Sequence, residues 1–179
     1  MKLDVYKCFL PECNLDSTLV EVLLNKPFAV NHNKGNSNVA VKMTQAKMKD
    51  SFAVGIIDED KVKLKALEDF KIIERLARKN LKLYSHRKRK HYFIQLCPAV
   101  EAWILNECNK ADIQLINYEL PTTLRGLIKM KGLKQRNDNR FVRLFKEMEK
   151  NIKCDEVNEL KRWLRFLRDN HINTNFDLL

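Results

Sequence analysis

The chain has 179 residues, 34 Lys and Arg against 23 Asp and Glu, and a formal net charge of +11. With 45% hydrophobic residues, only 4 Gly and 4 Pro, it can bury a core and is neither disordered nor collagen-like. No apolar run reaches the ~18–20 residues of a membrane span, and Asp4 interrupts any would-be signal sequence, so a cytoplasmic, non-membrane protein is expected.

Residues 3–10 (LDVYKCFL) are β-rich and stop at Pro11, which predicts a strand and a turn. Asp16-Ser17-Thr18 precede Leu19, Val20, Val22, Leu23 and Leu24; Asp16 or Ser17 is the expected N-cap of a short helix. A second strand is predicted at 28–30, a polar loop at 32–38 and a helix over 39–49. The continuous apolar run 51–57 (SFAVGII) has the character of a buried parallel strand, and it leads into Asp58-Glu59-Asp60. A basic helix is predicted over 61–80. Runs 81–86 and 91–96 then read as a hairpin around Arg87-Lys88-Arg89-Lys90. Pro98 suits the first position of a helix over 99–108. Further helices are predicted over 122–130, 139–151 and 155–170, the last with Val157, Leu160, Trp163, Leu164 and Leu167 on one stripe. Trp103 and Trp163 are expected in the core.

Alternating strands and helices with short connections predict an α/β fold: a mostly parallel sheet flanked by helices over residues 1–110, with a C-terminal helical extension over 111–179. Functional residues of such sheets gather beyond the carboxyl ends of the strands. Glu12 follows the first predicted strand and Asp58 and Asp60 the third, so the three acids are expected on one edge.

The five cysteines are odd in number and form no CxxC pair, which suits buried thiols in a reducing compartment rather than a zinc site. No P-loop, GxSxG or HExxH sequence is present.

Charge is distributed unevenly. Residues 1–60 hold 7 basic and 8 acidic residues, net −1, and residues 61–93 hold 12 and 3, net +9. An acidic cluster beside a basic track suits a protein that acts on a polyanion. Asp58 and Asp60, two residues apart, can face one point. Paired carboxylates suit a hard cation such as Mg²⁺ or Mn²⁺, with Glu12 as a further ligand or a general base. Lys34 and His32 lie in a loop that could meet phosphate. Arg87, Lys88, Arg89 and Lys90, with Tyr84, Tyr92 and Phe93 nearby, could hold a nucleic-acid backbone; equally, they could form a charged hairpin tip that deters edge pairing.

Two segments, Pro11-Glu12-Cys13-Asn14-Leu15-Asp16-Ser17-Thr18-Leu19 and Val54-Gly55-Ile56-Ile57-Asp58-Glu59-Asp60, resemble the two acidic motifs of the TOPRIM domain. That domain occurs in topoisomerases, bacterial-type primases and OLD-type nucleases. Cys13 stands where the family usually has Gly, and Asp16 fits an acid common in OLD-type relatives. Lys34-Gly35-Asn36 and Pro98-Ala99-Val100-Glu101-Ala102-Trp103-Ile104-Leu105 are similar to stretches of small TOPRIM proteins from bacterial restriction and phage-defence loci. The resemblance implies a TOPRIM/Rossmann-like fold and a Mg²⁺-dependent nuclease acting on DNA or RNA. Glu12 would be the general acid/base, Asp58 and Asp60 metal ligands, and Asp16 and Glu101 additional acids. The alternatives are a non-catalytic nucleic-acid-binding module and an interaction subunit working with an ATPase or other protein partner.

Overall fold

A computed structural model describes residues 4–59, 64–130 and 136–179, with the side chains of 46 and 47 excepted. The strands are β1 (Phe9–Pro11), β2 (Ala53–Asp58), β3 (Phe70–Ile72), β4 (Leu81–His86) and β5 (His91–Leu96). They form one sheet in the order β1-β2-β5-β4-β3. β1 pairs with β2, and β2 with β5, in parallel; β4 is antiparallel to both β5 and β3. The sheet is therefore mixed rather than mostly parallel, with β4 as the reversed strand.

The apolar runs of β2 and β5 are buried along their whole length because both strands are interior to the sheet and covered on both faces. Alternation divides their side chains. Val54, Ile56, Tyr92, Ile94 and Leu96 join the larger core, whereas Ala53, Ile57 and Phe93 join the smaller one. The larger core is closed by α1 (Asn14–Leu23), α4 (Val100–Lys110), α6 (Asn139–Lys150) and α7 (Asp155–Asp169). α2 (Asn36–Thr44) covers the smaller through Val39 and Met43. At Gly55, α2 and the sheet approach closely: a Cβ there would lie 2.4 Å from the Phe93 ring and 2.8 Å from Val39.

The C-terminal helices fall where their periodicity predicts, including α5 (Leu124–Met130). They do not form a separate core. Phe141, Phe145, Leu160 and Trp163 are fully buried in the same cluster as Leu19 and Trp103. Buried carboxylates fasten this layer. Glu156 accepts from Trp103 Nε1 and from the Asn80 N–H, both at 2.9 Å. Glu107 accepts the N–H groups of Glu156 and Val157 at the start of α7.

Several expected elements differ. Residues 5–8 form a 3₁₀ turn, not a strand, because the Asp4 side chain accepts the Tyr6 N–H and caps it. No strand forms over 28–30. Phe28 has φ 55°, and the chain beyond it runs beside β1, with Asn31 and Asn33 donating to the carbonyls of Phe9 and Pro11. The helix expected over 39–49 breaks at Gln45 (ψ 150°) into α2 and the short α3 (Ala46–Lys49). In place of the helix expected over 61–80, residues 64–80 hold 3₁₀ turns at Lys65–Asp69 and Glu74–Leu76 around β3. Pairing of Phe70, Lys71 and Ile72 with β4 outweighs local helical spacing. α4 begins at Val100, later than Pro98 suggests.

Candidate metal centre

The carboxyl ends of β1 and β2 lie side by side because Pro11 pairs with Ile56. One further bond, from the Glu12 N–H to the Ile56 carbonyl at 3.0 Å, carries the ladder past the end of β1. Glu12 is thereby held against the end of β2, and its Oε2 accepts the Asp58 N–H at 3.0 Å.

Asp16 arrives from the start of α1. The N-cap is Cys13, not Asp16 or Ser17 as the sequence suggests. Cys13 Sγ accepts the Asp16 N–H, and Asp16 Oδ2 accepts the Cys13 N–H at 3.2 Å. Asp16 is thus the third-residue partner of a capping box, with its carboxylate turned back toward the strand ends.

Asp58 faces α4. Ala99 supplies no side-chain cap to that helix; instead Asp58 Oδ1 accepts the Val100 N–H at 2.9 Å. One oxygen of each carboxylate is therefore fixed by a backbone N–H, and two of those donors lie at helix N-termini, where the helix dipole favours negative charge.

The result is a cluster in which ligand oxygens of Glu12, Asp16 and Asp58 all lie within 4.8 Å of one another. Asp16 is fully buried, Asp58 is 6% exposed and Glu12 is half-buried. Glu12 lines a cavity of about 230 Å³ with Cys13, Asn14, Leu15, His32, Lys34 and Gly35. Lys34, expected to meet phosphate, therefore does open onto the acidic edge. His32 bonds Ser17 Oγ through Nδ1 at 3.2 Å, and burial holds its pKa below the ordinary imidazole value.

The Gly35-Asn36 step ties this loop to both strand ends. Gly35, at φ 87°, donates its N–H to the Glu12 carbonyl, and Asn36 Nδ2 donates to the Asp58 carbonyl at 3.1 Å. Glu101 is buried (2% exposed) in the first turn of α4, next to the residue that binds Asp58. Asp60, the other expected metal ligand, lies outside the described residues. Glu59 turns to Lys82, at 2.9 Å.

The basic run is not brought to this edge. Lys90 precedes β5, and its carbonyl accepts the Ala53 N–H at the start of β2. Asp58, by contrast, pairs with Leu96 at the end of β5. Five residue steps of about 3.3 Å put roughly 17 Å between the two ends. Arg87, Lys88, Arg89 and Lys90 thus sit at the opposite end of the sheet, which corrects the expectation of one continuous acidic-and-basic site.

Sequence reasoning missed the Glu21–Arg136 pair. Glu21 is buried and ion-paired with Arg136, which also donates to the Val30 carbonyl at 3.0 Å. A lone acid on an otherwise apolar helix stripe is the signal that could have pointed to it.

Among the described residues no helix is long and apolar enough to cross a membrane. Comparison with family models, with curated proteins and with solved structures finds no match to this chain.

Proposed function

We propose that the chain is a TOPRIM-like, metal-dependent hydrolase of nucleic-acid phosphodiesters. The observation that carries this reading is the convergence of Glu12, Asp16 and Asp58 oxygens within 4.8 Å at the carboxyl edge of two parallel strands. An all-oxygen, carboxylate donor set fits a hard cation such as Mg²⁺ or Mn²⁺. Glu12, Asp16 and Asp58 would hold it, with Asp16 in the set in addition to the expected Glu12 and Asp58. When bound, the cation supplies positive charge that stabilises a phosphoryl group under attack. Lys34, at the mouth of the cavity, orients the scissile phosphate. Glu12, the most exposed of the three acids and the one lining the cavity, takes the proton of the attacking water.

A second reading has its own observation. Asp16 and Asp58 each satisfy a helix N-terminus, which a purely structural acid would also do. The test is incubation of single- and double-stranded DNA and RNA with Mg²⁺, Mn²⁺ or EDTA, beside Asp58→Asn and Glu12→Gln. Metal-dependent cleavage lost in both variants supports hydrolysis. Binding without cleavage supports the non-catalytic module, and cleavage indifferent to EDTA and to both variants overturns the metal centre.

A further inference from the structure

A second functional surface lies at the other end of the sheet. Lys88, Arg89, Lys90, His171 and Ile172 line a cavity of about 410 Å³, with Asp50 as the one carboxylate in its lining. Its walls come from the β4–β5 turn, from the chain just beyond α7 and from Asp50, Ser51 and Phe52 ahead of β2. They are fastened together by a bond from Lys90 Nζ to the Ile172 carbonyl and by the His171 ring packed 5.8 Å from Phe52.

A charged hairpin tip is explained without a ligand when it guards a sheet edge. That explanation does not hold here. β4 and β5 are interior strands, and the edges are β1 and β3. The turn projects from the end of the sheet, so its cations block no strand pairing. The turn is instead braced from within: the N–H groups of Lys88 and Arg89 both donate to His86 Nδ1, at 2.9 and 3.1 Å. Burial, with the neighbouring Arg89 charge, disfavours the charged form of His86 and so lowers its pKa. The outcome is a preorganised turn presenting three successive cations over a cavity with an apolar lip, Ile172 (65% exposed).

We infer that this cavity is a separate anchor for the phosphate backbone of single-stranded nucleic acid, about 17 Å from the acidic centre. Lys88, Arg89 and Lys90 neutralise successive phosphates, and His171 and Ile172 meet the face of a base. A polyanion that also carries flat apolar groups matches both halves of the lining. The inference extends the proposed phosphodiester chemistry by placing the substrate's distal segment, but it requires no turnover.

The experiment is fluorescence anisotropy of a labelled 20-nucleotide single strand with the full chain in EDTA, over roughly 50–200 mM KCl. EDTA separates the anchor from the metal reading. Wild type is expected to bind the strand in EDTA as it does in Mg²⁺. Lys88→Gln/Arg89→Gln, which leaves the Lys90–Ile172 bond in place, is expected to weaken binding about tenfold at the lower salt. Because each lost phosphate contact removes about 0.7 from the log–log salt slope, the slope should fall by about 1.4. Exposed Lys88→Gln alone, which touches no core group, should remove about half of that. Unchanged affinity and slope in both variants overturn the anchor. So does wild-type protein that ignores the strand at ~50 mM KCl, or that binds phosphatidylserine vesicles and not the strand.

Discussion

Glu12 and Asp58, 46 residues apart in sequence, are joined by a bond in which Glu12 Oε2 accepts the Asp58 backbone N–H at 3.0 Å. The bond makes the first acid a bracket for the second. Because the donor is the Asp58 backbone N–H, a change of the Asp58 side chain leaves the bond in place, whereas position 12 needs a side-chain oxygen to keep it, so Glu12→Gln is the conservative probe there.

Metal binding should be visible without any substrate. Three carboxylates within 4.8 Å repel one another, and a cation that binds only the folded chain adds RT ln(1 + [L]/Kd), about 2.7 kcal/mol at a hundredfold excess over Kd. Thermal melts in Mg²⁺ against EDTA are expected to show a rise in Tm for wild type. The rise should shrink or vanish in Asp16→Asn and Asp58→Asn, which also remove part of the repulsion. Equal melts in Mg²⁺ and EDTA for wild type would count against the centre.

Cys13 occupies an N-cap position where Ser is the better acceptor. Cys13→Ser is expected to keep the capping box with Asp16 and leave stability equal or slightly higher. Cys13→Ala, which loses the Sγ acceptor, should cost about 1 kcal/mol in urea unfolding. Thiol labelling gives a parallel readout. Burial pushes Cys8 and Cys97 up to about 11, and Cys108 and Cys154 to about 12. Iodoacetamide at pH 8 should therefore modify half-buried Cys13 ahead of the other four in the native chain, as peptide mass mapping can show.

Gly55→Ala should loosen the strand that carries Asp58. The new methyl would meet the Phe93 ring at 2.4 Å and Val39 at 2.8 Å, so β5 or α2 must shift. Overpacking of this kind costs about 1–3 kcal/mol. Denaturant titration should give that loss, and the double change Gly55→Ala/Phe93→Leu should recover part of it.

Stability should fall on mild acidification. His91 is 1% exposed and its Nε2 bonds the Met48 carbonyl at 2.8 Å. Burial, the largest influence, lowers its pKa from 6.5. His86 and His32 are shifted in the same direction, also by burial. The unfolded chain then binds more protons than the native one below pH 6.5. The associated stability is complete above 6.5 and is lost as pH drops from there toward the lowered native values. Melts from pH 7.5 to 5 should show this decline, and His91→Gln should flatten it. A Tm independent of pH across that range would contradict the assignment.

The apolar runs AVGIID and HYFIQL, the hairpin between 81–86 and 91–96, and the three C-terminal helices were legible because each is decided by local periodicity and burial. β3 was not legible. Ile72, Ile73 and Leu76 have helical spacing, and only the partner strand β4 makes the segment extended. Asp16 was legible as an acid near the first motif. Its place in the cluster depends on Cys13 being the cap, and a thiol at that position carries a weak sequence signal.

By itself, the sequence established an α/β chain with acids beyond its buried strands and an excess of positive charge after Asp60. Residue order also fixed that Glu12 and Asp58 would follow apolar strands, because strand character is written in side-chain type and alternation. Which ends meet was decided only in three dimensions. Parallel pairing of β1 with β2 gathers Glu12, Asp16 and Asp58, while the direction of β5 carries Lys88, Arg89 and Lys90 to the far end. Strand order and direction are properties of the whole sheet. No local pattern encodes them, and here they separate the acids from the cations that follow them in the chain.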